Sequence, residues 1–247
     1  MKHDVLSEAV KVVLLVVLSL TFSGLIYFAI PFQAEPRALQ ALQSDSEVRV
    51  ERSDYGWFFD GPSEEDALIF YPGARVDTAA YSVLARAIAH RGLDVFLADM
   101  PLHLALLNEN AADRIISRYR YANWMIGGHS LGGAVSAEYA AKHAGSLSGI
   151  VLLGAYSLSD LPDTMKTIVI RGSEDHVLNS ERYRKNLVHL SSRTVEYVIP
   201  GGNHSQFGCY GLQPGDGAPR ISADRQQEET ARMIAEVLLS DGTEHNP

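Results

Sequence analysis

The sequence predicts an α/β protein with a doubly wound, mostly parallel sheet, preceded by one N-terminal transmembrane helix. Short β-branched runs alternate with amphipathic helical patterns, which is typical of a parallel sheet covered by helices on both faces. A long uncharged run precedes this alternation, and a serine between glycines stands where one strand pattern changes into a helix pattern. With 247 residues, 46% of them hydrophobic and 21% charged, the chain supplies apolar surface for one sizeable core.

The uncharged run covers residues 12–32 and is apolar on every face of a helix. At about 1.5 Å per residue it reaches roughly the 30 Å thickness of the hydrocarbon core of a membrane. A cleaved signal peptide is the alternative, but its apolar region usually has about 7–15 residues, and the segment after residue 31 is a poor cleavage site. We therefore expect a single-pass anchor over residues 12–32, after a flank of residues 1–11. Lys2, Lys11 and the amino terminus lie on one side of it, against Arg37 and Arg49 on the other, and we expect the globular domain outside the cytoplasm.

Residues 33–46 are polar and contain a proline, which predicts a linker that is helical in part. The α/β domain is expected over residues 47–240, and a disordered tail over residues 241–247. The periodicities predict a hairpin of strands 47–52 and 57–60, and then strands 67–71, 95–99, 124–127, 150–153, 167–171 and 195–199. Helices are predicted over residues 81–90, 102–119, 131–143, 180–190 and 223–239.

Composition argues against several classes of function. The net charge of −9 leaves no basic stripe for neutralising phosphates, so no nucleic-acid partner is expected. The nine histidines fall in no zinc-binding spacing, and Cys209 is the single cysteine, so we expect neither a metal site nor an intrachain disulfide. No nucleotide-binding glycine motif is present, and no cofactor is predicted.

Ser130 is the strongest candidate for a catalytic residue. It stands at the centre of Gly128-His129-Ser130-Leu131-Gly132, directly after an apolar strand pattern and before an alanine-rich helix. A strand that turns sharply into a helix has no space for side chains two residues either side of the serine, which explains the glycines. The hydroxyl would then stand exposed at the N-terminus of a helix, where backbone N–H groups stabilise a developing negative charge.

Two further side chains are expected to complete the site, because a serine hydroxyl needs a base to take its proton and the base needs an acid to orient it. Asp175 follows the predicted strand 167–171 and is the candidate acid. His204 follows the strand 195–199 through two glycines and is the candidate base. Both side chains would reach the edge of the sheet at which the serine turn lies.

Each of these assignments has alternatives close by in the sequence. Glu174 adjoins Asp175 and is a second candidate for the acid. His176 and His129 also lie near predicted strand ends and compete with His204 for the role of the base.

An oxyanion needs two N–H donors, and the residue after the nucleophile, Leu131, supplies the first. The second is expected from the tight turn after strand 67–71, where Pro72 has no N–H. Ala74 is the candidate, with Gly73 and Arg75 as its neighbours.

The chain resembles the alpha/beta-hydrolase superfamily, and within it a small lidless branch, the alpha/beta hydrolase fold 5 family, which is similar to dienelactone hydrolases. The resemblance covers roughly residues 47–240 and rests on six segments: Ile69-Phe70-Tyr71-Pro72-Gly73 with Asp77, Asp99-Met100-Pro101, Gly127–Gly133, Leu152–Tyr156, Arg171–Asp175 and Ile199–Gly208. It implies the α/β-hydrolase fold and a Ser130–Asp175–His204 triad. Only about a dozen residues separate Ala155 from Thr167, where other hydrolases insert a lid, so an open site is expected.

The resemblance and the residues together lead us to expect a membrane-anchored serine hydrolase that cleaves small or lipid-like carboxylic esters, or else thioesters or amides, through an acyl-serine intermediate. One alternative is a non-hydrolytic acyltransferase or perhydrolase with the same triad. The other is a catalytically silent binding protein held at the membrane.

Overall fold

Eight strands form one sheet in the computed structural model, which describes residues 2–240 of the chain. The strands are β1 (Arg49–Ser53), β2 (Gly56–Asp60), β3 (Asp66–Tyr71), β4 (Asp94–Ala98), β5 (Asn123–His129), β6 (Gly149–Leu153), β7 (Lys166–Gly172) and β8 (Thr194–Ile199). The helices are α1 (Lys2–Ala29), α2 (Pro36–Gln40), α3 (Ser82–Ala89), α4 (Ala111–Ile116), α5 (Leu131–Lys142), α6 (Ser180–Asn186) and α7 (Ala223–Leu238). The predicted tail, residues 241–247, lies outside the described residues.

The strands lie in the order β1-β2-β4-β3-β5-β6-β7-β8. β2 pairs antiparallel with both β1 and β4, and every other neighbouring pair is parallel. This confirms the mostly parallel, doubly wound sheet. Because the strands from β3 to β8 are parallel, the loops that follow them meet at one edge of the sheet, which we call the carboxyl edge.

Alternate residues of the central strand β3 belong to two separate layers of the core. Leu68 and Phe70 pack in the layer that α3 and α7 cover. Ile69 and Tyr71 pack in the opposite layer, together with residues of α4, α5 and α6. The period of two in a strand produces this division, and burial on both faces explains why the strand reads as a continuous apolar run.

The prediction of one continuous helix over residues 102–119 is wrong. Two 3-10 turns, Pro101–His103 and Ala105–Leu107, replace its first half, and only α4 is α-helical. Leu102 and His103 have φ angles of 50° and 56°, in the left-handed region that interrupts a right-handed helix. The helix predicted over 180–190 is shorter as well, since α6 is followed by the 3-10 turn Leu187–His189.

The N-terminal helix α1 ends three residues before the end of the predicted membrane span. Phe32 instead forms a bridge with Val76 and donates its N–H to the Arg75 carbonyl at 2.6 Å, so the last part of residues 12–32 belongs to the α/β domain. Across residues 2–240, no helix combines the length and apolar character that crossing a membrane requires. The transmembrane prediction is therefore unsupported.

Residues 33–46, predicted to be a linker, pack against the domain. Ala38 in α2 is fully buried, and its carbonyl accepts a hydrogen bond from the Ser82 hydroxyl at the start of α3. The Glu35 N–H donates to the Cys209 carbonyl at 2.8 Å. Cys209 itself is fully buried, with its Sγ 3.5 Å from the side-chain oxygen of Gln227 in α7.

Candidate active site

Ser130 occupies the turn between β5 and α5. Its φ of 52° and ψ of −121° form a conformation that a non-glycine residue rarely adopts. The Ser130 N–H donates to the carbonyl of Leu153, at the end of β6, at 2.9 Å. The serine therefore stands directly at the N-terminus of a 12-residue helix, as the sequence predicted.

The glycines on either side of the serine allow this turn to lie against the end of β3. A Cβ on Gly128 would lie 2.5 Å from the Tyr71 carbonyl oxygen. A Cβ on Gly132 would lie 2.2 Å from the same oxygen and 2.3 Å from that of Pro72. These contacts are with backbone atoms, so larger residues would push the serine turn away from β3.

His204 and Asp175 form a buried pair. His204 Nδ1 lies 2.8 Å from Asp175 Oδ2, and the two side chains are only 1% and 2% exposed. Asp175 Oδ1 accepts the N–H groups of Val177 and Leu178 at 3.0 and 2.8 Å. The loop after β7 thus fixes the carboxylate, and the carboxylate orients the imidazole.

The serine turn and this pair contact neighbouring residues at the end of β6. Leu153 accepts the hydrogen bond from Ser130 described above. A Cβ on the next residue, Gly154, would lie 2.8 Å from His204 Nδ1 and 3.2 Å from Asp175 Oδ2. His204 Nε2, the nitrogen that faces away from the acid, is buried and has no hydrogen-bond partner among the residues that the structure describes.

The structure separates these residues from their rivals. The Glu174 carboxylate forms an ion pair with Arg220 at 3.4 Å and makes no contact of this kind with a histidine. His176 is exposed. His129 is buried, but its Nδ1 is hydrogen-bonded to the Tyr81 hydroxyl at 2.8 Å.

Ala74 is the residue of its turn whose N–H group is available. The Gly73 N–H donates to the Tyr81 hydroxyl at 3.0 Å, and the Arg75 N–H donates to the His103 carbonyl at 2.8 Å. No hydrogen bond among residues 2–240 uses the Ala74 N–H. The Leu131 N–H is the first of α5, so it has no partner within the helix.

Asp216, which was not among the predicted site residues, connects the loop of Asp175 with the loop of His204. Its Oδ2 accepts the N–H and the hydroxyl of Ser205 at 2.8 and 2.7 Å, and its Oδ1 lies 3.3 Å from the N–H of His176. The sequence Pro-Gly-Asp-Gly at residues 214–217 is a turn signal that could have drawn attention to this carboxylate.

The connection between β6 and β7 adds no helix over the site. Twelve residues connect β6 to β7, and none of them forms a helix. Exposed leucines lie in the segments that follow β4, β6 and β8: Leu102, Leu106, Leu107, Leu158 and Leu212, which are 40–66% exposed. Across the described part of the chain, no group of histidine, cysteine, aspartate or glutamate side chains is arranged to hold a metal ion.

Comparisons with known proteins agree with this fold. A model of the alpha/beta hydrolase family matches residues 67–228. No curated protein matches the chain in sequence.

Several solved structures are similar to it. Carboxyl esterase 2 from the mycorrhizal fungus Tuber melanosporum has a TM-score of 0.57 at 12% identity, over 84% of this chain and 91% of that one. Alpha/beta hydrolase domain-containing protein 10 from mouse has a TM-score of 0.55 at 12% identity, over 79% and 100%. A dienelactone hydrolase from Anabaena variabilis has a TM-score of 0.50 at 13% identity, over 78% and 98%. At these identities the likeness concerns the fold.

Proposed function

Because the chain belongs to the alpha/beta hydrolase family, we propose that it is a serine hydrolase that cleaves carboxylic esters through an acyl-Ser130 intermediate. The observation that carries the proposal is the buried His204–Asp175 pair beside the strained serine turn. Thioesters and amides are further substrates for the same chemistry. Neither a metal nor an organic cofactor is needed for it.

In the proposed reaction, Ser130 Oγ attacks the ester carbonyl carbon while His204 Nε2 takes the hydroxyl proton. The unpartnered Nε2 is suited to this role, because Nδ1 is held by Asp175. The tetrahedral intermediate collapses, its C–O bond to the alcohol breaks, and His204 protonates the leaving oxygen. A water molecule, activated by His204, then attacks the acyl-enzyme and releases the acid and the free serine.

The oxyanion of both tetrahedral intermediates would be held by the N–H groups of Leu131 and Ala74. The free Ala74 N–H, flanked by two N–H groups that are already used, supports this choice. The N-terminus of α5 adds a favourable dipole at the same place.

We also propose that α1 associates with a lipid surface and that the substrates are lipid-like esters. Residues 12–18 are all apolar and 52–66% exposed, and seven consecutive residues cover every face of a helix. A protein partner on one side would cover one face of this run, whereas residues 12–18 inserted into the hydrocarbon region of a lipid surface would be covered on every face. The exposed leucines at the carboxyl edge fit an apolar acyl chain that approaches an uncovered site.

Labelling with a fluorophosphonate probe tests the serine chemistry. We expect the wild type to be labelled and to hydrolyse 4-nitrophenyl esters, whereas Ser130→Ala should do neither. Ser146→Ala, which changes an exposed serine beyond α5, is the control and should behave as the wild type. Asp175→Asn should lower kcat by about 1,000- to 10,000-fold because the imidazole loses its orientation, and its neighbour Glu174→Gln should not.

A folded wild-type protein that never reacts with the probe would contradict the proposal and favour a silent binding protein. A labelled protein that transfers the acyl group to an added alcohol or to peroxide, with little free acid formed, would favour the acyltransferase or perhydrolase alternative.

A further inference from the structure

Tyr81 and His129 form a buried hydrogen-bonded pair that the proposed reaction does not use. Tyr81 is fully buried and His129 is 1% exposed. The pair lies between two parts of the candidate site. On one side the Tyr81 hydroxyl contacts Gly73, in the turn of residues 72–75 that we call the oxyanion turn; on the other side the His129 ring lies 4.4 Å from that of His204, between centroids.

The direction of the hydrogen bonds follows from the groups that make them. The Gly73 N–H can only donate, so the Tyr81 oxygen accepts it at 3.0 Å. The tyrosine proton is then directed to His129 Nδ1, 2.8 Å away, and the histidine proton lies on Nε2. This tautomer is inferred from the contact of Nδ1 with the Tyr81 hydroxyl, since His129 Nε2 has no hydrogen-bond partner among the described residues.

His129 stays uncharged in this arrangement. Burial, and secondly the proximity of His204, lower the pKa of His129 well below its ordinary value of 6.5. A second positive charge would oppose the imidazolium that forms on His204 during the reaction. A neutral ring can instead pack against His204 in both protonation states of the catalytic histidine.

At the other end of the pair, the Tyr81 hydroxyl binds one of the N–H groups of the oxyanion turn, that of Gly73. A Cβ on Gly73 would lie 2.9 Å from His129 Nδ1 and 3.0 Å from the Tyr81 hydroxyl, so the turn lies closely against both side chains. The Gly73 N–H is held by the tyrosine. The N–H of the next residue, Ala74, has no partner among the described residues.

We propose that Tyr81 and His129 are positioning residues that join the oxyanion turn and the His204 ring into one hydrogen-bonded and packed unit. The inference rests on the proposed function, since it concerns the same serine site. Both residues act through others: Tyr81 through the peptide that carries the Ala74 N–H, and His129 through the ring that takes the serine proton.

Tyr81→Phe tests the proposal, because it removes the hydroxyl and keeps the ring. With 4-nitrophenyl acetate we expect kcat to fall about tenfold with KM unchanged, less than the roughly 100- to 1,000-fold that follows direct loss of an oxyanion donor. An alkyl trifluoromethyl ketone, whose adduct with the serine carries an oxyanion, should bind more weakly by the same factor as kcat/KM. A merely structural role would not link these two quantities.

Variants of His129 give a second, graded measurement. His129→Asn places an amide oxygen near the position of Nδ1 and should keep more of kcat than His129→Leu, which has no acceptor for the tyrosine proton. Tyr55→Phe is the matched control, since it removes another buried tyrosine hydroxyl, one that bonds to Tyr119 at 2.6 Å, and it should leave kcat unchanged. Circular dichroism and thermal unfolding show which variants are folded.

The outcomes separate this inference from the proposed function. A wild type that neither labels nor hydrolyses esters would end both. An active wild type with a folded Tyr81→Phe variant of equal kcat and equal affinity for the ketone would end the inference alone. Equal losses in His129→Asn and His129→Leu would contradict the part played by the Nδ1 acceptor.

Discussion

Asp94 is a carboxylate buried in the domain away from the candidate active site. Asp94 is the first residue of β4. Its Oδ1 accepts the Gly61 N–H at 2.8 Å, and its Oδ2 accepts the Tyr121 hydroxyl at 2.5 Å. Burial, and to a smaller extent the nearby Asp60 carboxylate, raises the pKa of Asp94 to about 6. The two hydrogen bonds offset only part of that cost.

This carboxylate should make the stability of the protein depend on pH. The folded-state pKa lies above the ordinary value of 3.8, so the folded chain binds the proton more tightly than the unfolded chain. The resulting contribution is complete below about pH 4 and is lost as the pH rises through about 6. Asp94→Asn, which is always neutral, should therefore gain free energy of unfolding relative to the wild type between these two pH values.

Urea unfolding of the wild type and of Asp94→Asn across that pH range measures the difference. Glu64→Gln, an exposed change in the loop before β3, is the control and should follow the wild type. A constant difference between Asp94→Asn and the wild type at all pH values would contradict the prediction.

Single residues of the candidate site differ in how far the sequence predicts them. Ser130, Asp175 and His204 each follow a strand at the same edge. The structure pairs Asp175 with His204 and places Ser130 at the start of α5, while the assignment of all three as catalytic residues stays a prediction. The choice of Ala74 over its neighbours depends on which N–H groups are already bonded, which only coordinates show. Tyr81 could not be found in advance, because its sequence surroundings are those of an ordinary core aromatic residue.

At the scale of elements, the close contact between β3 and the β5–α5 turn places the serine. The contact involves backbone on both sides, since Gly132 lies against the carbonyls of Tyr71 and Pro72. These two residues lead directly into the oxyanion turn. Ser130 and the Ala74 N–H, the proposed nucleophile and second oxyanion donor, are therefore held at a fixed distance from each other by one packing interaction.

Gly132→Ala should disrupt this contact. The added Cβ would meet two backbone oxygens at 2.2 and 2.3 Å, so either the turn or the end of β3 has to move. We expect a loss of about 1–3 kcal/mol in the free energy of unfolding, as for other overpacked sites, together with a fall in kcat. Denaturant unfolding and ester hydrolysis measure the two effects.

Gly145→Ala provides the matched control in the loop that follows α5. A Cβ there has no atom within 4 Å, so we expect an unchanged kcat and a stability equal to the wild type or about 0.4–1 kcal/mol higher. An equal kcat and an equal free energy of unfolding in Gly132→Ala and Gly145→Ala would show that the contact at Gly132 is not tight.

The sequence predicted elements well where hydrophobic periodicity determines their type. It predicted them poorly where an unusual backbone conformation interrupts the pattern. All eight strands lie within a few residues of their predicted positions. The segment 102–119 has a helical pattern, but the left-handed residues Leu102 and His103 break it. The hydrophobic pattern does not indicate a left-handed backbone conformation in residues other than glycine.

At the scale of the whole molecule, the N-terminal segment has two parts with different surroundings. Residues 12–18 expose apolar side chains on every face. Phe32 is attached to the domain, and Arg75 holds this junction by donating to the Ile30 carbonyl at 3.0 Å and lying 5.4 Å from the Phe32 ring. The polar composition of residues 33–46 suggested a linker, because the sequence does not show that α2 has a partner in α3.

Two deletions should separate these parts. Without residues 1–29 the protein should still hydrolyse 4-nitrophenyl acetate, but it should no longer float with phosphatidylcholine vesicles in a density gradient, as the full chain is expected to do. Removing residues 1–34 also deletes Phe32 and its bridge to Val76, so this variant should have a lower Tm. A full chain that stays free of vesicles would contradict the proposed lipid association.

The burial of Cys209 makes the single thiol a reporter of how often the domain opens. Burial raises the pKa of this thiol, so in the closed protein it is both shielded and mostly protonated. Alkylating reagents would then react only in molecules in which α7 and the loop of His204 have separated, so the labelling rate reports this opening. A cysteine introduced at an exposed position would react much faster than Cys209. Spectroscopic probes could therefore be attached to introduced cysteines with little labelling of the natural thiol.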